Sequence, residues 1–177
     1  MGILGKLFRV TPKEELNGIK IDLNEPFWEL EGKTDFTYLL RALPEILPEN
    51  SILYFEGGSP SGPLLDFLNT QSIPEQTHVA VGTLWPRPDY YHVPATKQNI
   101  TTLADITERI AEPELAIHFH VYSSGEIILE WHDAFTQPML LTGKLTRDKV
   151  QAFSDKLRMK ITKWKNASEQ ENQPDAE

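Results

Sequence analysis

Four residues in one short stretch have the types and spacing of a metal or acid–base site: His118, His120, Glu130 and His132. They lie in the segment Leu115 to Phe135, LAIHFHVYSSGEIILEWHDAF. Three imidazoles and a carboxylate make an N3O set suited to a divalent transition metal. Histidines two apart on a strand point the same way, because strand side chains alternate between faces. A register that pairs odd with odd residues puts Ile117, Phe119, Val121, Leu129 and Trp131 on one face and the four polar residues on the other. A slip of one residue sets His120 opposite Leu129 and disperses the set. His132 and Asp133 are adjacent, so a regular strand keeps them from acting as a dyad.

Two strands and their connection must hold this set. Ser124-Gly125-Glu126 reads as a three-residue hairpin loop into which a bulge can intrude. Met139 to Leu145 follows as the third strand of a meander. The His-x-His pair followed by Glu resembles the metal strands of cupin-like barrels. That resemblance is confined to these positions, since the glycine and proline framework of the family is absent. It implies a manner of presenting ligands and no more.

Two further stretches carry candidate chemistry. Glu56 to Pro63 joins a strand to a helix, and Gly57, Gly58, Ser59, Ser61 and Gly62 form a candidate anion-binding loop. It lacks the Lys-Ser/Thr of a phosphate-binding P-loop, and Pro60 and Pro63 lack N–H donors. Ser59 or Ser61 as a nucleophile would need a histidine base beside it. The second stretch is the basic side of a C-terminal helix, with Arg147, Lys149, Lys156, Arg158, Lys160, Lys163 and Lys165.

Around these, short elements follow one another. Gly18 to Leu23 alternates as a strand. Asp35 caps a helix from Phe36 to about Leu43. Ser51 to Phe55 is a buried strand, and Pro63 opens a helix carrying Leu64, Leu65, Phe67 and Leu68. His78 to Trp85 is a strand with Tyr90 to Val93 returning beside it. Thr101 or Thr102, with Asp105 as a weak capping-box partner, starts a helix that Pro113 closes. Thr146 caps the last helix, whose stripe is Val150, Phe153, Leu157, Ile161 and Trp164. The chain thus reads as an α+β protein: one domain over 18–165, a mostly antiparallel sheet of five to seven strands with about four helices on one face, and a parallel pair between Ser51 and Trp85. Residues 1–17 read as a short amphipathic helix or arm, and 166–177 as a disordered acidic tail.

Composition narrows the function classes. The 177 residues carry a net charge of −9 and no cysteine, which excludes disulfides, thiolate zinc sites and cysteine nucleophiles. Charge is uneven: 144–165 holds +6, 166–177 holds −4, and 1–143 holds −11. So acidic a body argues against nucleic-acid binding. No apolar run reaches the roughly 20 residues of a membrane span. Lys6 stands where a myristoylation signal needs Ser or Thr. A cytoplasmic protein is the expectation. The favoured role is a non-enzymatic module binding a protein partner, as small acidic adaptor or immunity proteins do, with no cofactor. The alternative is a metal-binding protein or metal-dependent enzyme using the histidine face. A sheet packed on helices by one face leaves the other wet, so the histidine face is expected to be open.

Overall fold

The computed structural model describes residues 18–80, 88–134 and 136–168. Seven strands form one sheet: β1 (Phe27–Glu31), β2 (Ile52–Glu56), β3 (Tyr90–Pro94), β4 (His118–Ser123), β5 (Glu126–Trp131), β6 (Met139–Thr142) and β7 (Lys160–Trp164). Their order is β3-β2-β4-β5-β6-β1-β7, and every pairing is antiparallel. The helices are α1 (Phe36–Ala42), α2 (Gly62–Gln71), α3 (Lys97–Thr107), the single turn α4 (Glu112–Leu115) and α5 (Arg147–Leu157). The class is α+β. No helix among the described residues is long and apolar enough to cross a membrane.

The helices lie on one sheet face. Phe36, Leu39 and Leu40 of α1, Leu64 and Leu68 of α2, Ile100 and Leu103 of α3, and Val150 and Phe153 of α5 share a core with Phe55, Phe119, Val121, Leu129, Trp131 and Leu141 of the sheet. Local chemistry starts these helices. The Asp35 carboxylate accepts the Tyr38 N–H at the head of α1. Thr96 does the same for Asn99, so α3 begins a turn earlier than Thr101 or Thr102 and gains Ile100 for its buried stripe. Asp105 is spent on Arg41, 3.6 Å away, and not on a capping box. α3 ends at Thr107, well before Pro113.

Several expectations need correction. The last helix stops at Leu157, where Arg158 takes a left-handed conformation (φ 57°), and the chain continues as β7. Ile161 and Trp164 fit a helical count from Val150, but they stand on a strand, opposite Leu30 and Phe27 of β1. Their odd and even numbers send them to opposite faces: Ile161 packs against the helix-side core and Trp164 against a second cluster. The expected basic helix is therefore split. Lys160 and Lys163 sit on an edge strand, where lysines discourage pairing with other chains. β1 was not anticipated, although its aromatic and apolar residues lie between Pro26 and Gly32.

Among the described residues the sheet holds no parallel pair. β3 pairs with β2, and residues 81–85 of the strand expected beside it lie outside the described residues. The parallel contact that does occur is an isolated bridge, Ile19 to Val79, so Gly18 to Leu23 is not a sheet strand. The expected arm over 1–17, the strand beyond Ala80 and the tail beyond Ser168 lie outside the described residues.

Candidate metal centre

The central hairpin adopts the odd-with-odd register where the histidines sit: Phe119 pairs Trp131, His120 pairs Glu130 and Val121 pairs Leu129. Beyond Val121 the register shifts, and Tyr122 pairs Ile127 and Ser123 pairs Glu126. Ile128 is the extra residue and turns into the helix-side core. The connection is the two-residue Ser124-Gly125, not a three-residue loop. Both have positive φ (52° and 78°), as a type I′ hairpin turn requires. The bulge lets the short turn coexist with the register at the site. Ile117 leaves the apolar set: it is 38 % exposed, and its N–H donates to the Glu56 carbonyl (3.0 Å).

His120, Glu130 and His132 come together, each offering a ligand atom within 4.8 Å of the others. The His120 and His132 rings meet edge to face at 4.8 Å. The Glu130 Oε1 lies 3.0 Å from His132 Nε2, and its Oε2 accepts the Ile21 N–H at 2.9 Å. Ligand atoms on a tetrahedral zinc at about 2.0–2.1 Å stand about 3.3 Å apart. The carboxylate–His132 pair, 3.0 Å apart, is already near that spacing, and the His120 ligand atom lies within 4.8 Å of both. Glu130, His120 and His132 can thus hold a metal ion.

The site is not open to water, contrary to the expected wet face. His120 is fully buried, Glu130 is 9 % exposed, and the His132 side chain is 34 % exposed. The cover comes from outside the sheet: Ile21 and Val79 join Tyr54, Tyr122, Ile127 and Trp164 in the second apolar cluster. Neither ring nitrogen of His120 has a hydrogen-bond partner among the described residues. Burial, and then the neighbouring His132 and His118, holds the His120 pKa well below its ordinary value. The ring is therefore neutral, with a lone pair free for a metal.

His118 behaves differently. It shares the face, and its ring lies 5.6 Å from that of His132. Its Nδ1 accepts the Asp133 N–H at 3.1 Å, so in the neutral ring the proton sits on Nε2. That bond occupies the Nδ1 lone pair, and the ligand atoms within 4.8 Å of one another are those of His120, Glu130 and His132. Asp133, left-handed at φ 44° just past β5, reaches His118 through its backbone. Burial first, and then His132, lowers the His118 pKa, while Glu56 and Asp133 pull it the other way.

Neighbours that the hairpin reading missed extend this polar band. Tyr54 stands across from both His92 and His120, and its ring meets theirs edge to face at 5.0 and 5.7 Å. Its hydroxyl donates to the Glu56 carboxylate. His92 Nδ1 bonds the Tyr122 hydroxyl at 2.9 Å. Burial, and then Glu75, raises the Tyr122 pKa to about 12. The signal was available in parity: Tyr54 and Glu56 alternate with Leu53 and Phe55.

The glycine-rich loop does other work. The Gly57 N–H donates to the Asp89 carbonyl and the Ser59 N–H to the Glu114 carbonyl, so neither faces an anion. Ser61 is the N-cap residue of α2, yet its hydroxyl makes no capping bond. Comparisons of the chain with protein-family models, curated proteins and solved structures find no match.

Proposed function

We propose that this protein binds one divalent transition metal through His120, Glu130 and His132. The carrying observation is the fully buried His120, whose two ring nitrogens have no partner among the described residues, beside a carboxylate–imidazole pair. A buried donor or acceptor left unpaired costs about 1–3 kcal/mol, and a metal–nitrogen bond removes the vacancy at one nitrogen. Two imidazoles and one carboxylate favour zinc or iron over calcium or magnesium. Three protein ligands leave a coordination position open, as in catalytic rather than structural zinc sites. This makes a metal-dependent enzyme the natural extension of the reading.

The test is titration of the metal-free protein with zinc, iron(II) and nickel, read by calorimetry and elemental analysis. One equivalent is expected to bind, with loss of binding in His120→Ala and in His132→Ala. Failure of all three metals to bind refutes the reading. A protein-binding module is the second reading. Its motive is Tyr38, 60 % exposed beside a cleft that Asp35, Arg41 and Glu108 also line.

A further inference from the structure

Resting on the metal reading, we infer that the Gly18–Leu23 segment is a working part of the same site: its Ile21 N–H positions Glu130, so metal binding and docking of the segment are coupled. Four observations carry this. The Ile21 N–H donates to Glu130 Oε2, leaving Oε1 directed at His132. Ile21 is 7 % exposed and belongs to the apolar cluster over the ligand face. The segment is clamped from its other side, where the Ile19 N–H donates to the His78 carbonyl (2.8 Å) and the Ala80 N–H to the Ile19 carbonyl (3.1 Å). At Gly18 the two segments pack closely, since a Cβ there would lie 2.4 Å from the Ala80 nitrogen.

The chemistry follows from how carboxylates bind metals. A free glutamate can chelate with both oxygens, the mode that the large, oxygen-seeking calcium ion uses. An N–H held on Oε2 restricts Glu130 to a single oxygen and fixes its direction. Hydrogen bonds of this kind to a ligating side chain are typically worth about 10–100-fold in metal affinity. Coupling is reciprocal: if docking tightens metal binding tenfold, metal tightens docking tenfold. Ile21 is a positioning residue acting through its backbone, so the substitution that probes it must undock the segment. Gly18→Val does so by placing side-chain atoms against the Ala80 backbone.

The experiment uses the full chain with zinc as probe and calcium as comparison. Amide hydrogen exchange is followed at Ile21 and at core amides of β4, with and without zinc. In the wild type, zinc is expected to slow exchange at Ile21 about tenfold, and calcium to leave it unchanged. Gly18→Val is expected to bind zinc about tenfold more weakly, with β4 exchange unaltered. Zinc binding that leaves Ile21 exchange unchanged overturns the coupling while the metal reading stands. So does equal zinc affinity in a folded Gly18→Val. Absence of zinc binding in the wild type overturns both. The wild-type exchange measurement decides the matter should Gly18→Val fail to fold.

Discussion

Replacing His120 with leucine sets stability against function in a way that few other substitutions here would. A buried histidine with ordinary hydrogen bonds would lose stability on conversion to an apolar side chain. His120 has two ring nitrogens without partners among the described residues. Their desolvation costs about 1–3 kcal/mol each. Leucine removes that penalty. Against the gain stand the edge-to-face contacts of the imidazole with Tyr54 and His132, about 1 kcal/mol each, and about 1–2 kcal/mol for the changed shape. Central values of about 4 kcal/mol gained and about 3.5 lost nearly cancel, so the metal-free variant should be about 0.5 kcal/mol more stable than the wild type, or about 1–2 °C higher in Tm. Zinc reverses the ranking. At a hundred times its Kd, zinc stabilises the wild type by about 2.7 kcal/mol and gives the variant nothing. Paired melts in chelator and in zinc read both quantities. Destabilisation of the metal-free variant by more than about 2 kcal/mol exceeds the low end of these terms and would mean that the His120 ring nitrogens have partners. An undiminished zinc shift in the variant would put the metal elsewhere.

Other outcomes follow from the same geometry. With metal absent, stability should decline as pH falls below about 6.5, because the unfolded chain protonates its histidines there while buried His120 and half-buried His118 resist. The loss should continue until folded His120 itself takes a proton, and urea melts across that range measure it. Leu157→Ala should cost about 2–5 kcal/mol, since Leu157 is 4 % exposed at the end of α5; a loss below about half a kcal/mol in urea would detach that helix from the core. Gly143→Ala should be strongly destabilising, because its Cβ would lie 1.9 Å from the Pro26 carbonyl oxygen; a Tm within about 2 °C of wild type would contradict that packing. Arg158→Gly should be neutral or raise stability by about 0.5–1 kcal/mol in denaturant melts, as glycine takes the left-handed conformation without a Cβ penalty.

Local pattern determined a good part of this protein. Parity in IHFHVY and EIILEW sorted apolar from polar side chains and put His120, Glu130 and His132 on one face, and the observed register pairs His120 with Glu130. Capping chemistry marked Asp35 as the start of α1, and the repeat through Val150, Phe153 and Leu157 marked α5. Each signal acts within a few residues, so sequence records it directly. The end of α5 escaped because Ile161 and Trp164 satisfy a helical count and a strand alternation alike. Their pairing with β1, more than a hundred residues earlier, decided between the two.

Only the tertiary structure decided what lies over the histidines. Alternation states that two faces differ and says nothing of what covers the polar one. The cover is a backbone contact between residues 109 apart, Ile21 and Glu130, joined by Val79 from a third part of the chain. A backbone N–H leaves no trace in residue type. The His118 Nδ1 is occupied by another such donor, the Asp133 N–H, presented by a left-handed turn. Sequence supplied the ligand types and their common face. Burial, which leaves His120 neutral and unpartnered and so fit to hold a metal, came from segments far along the chain folding over that face.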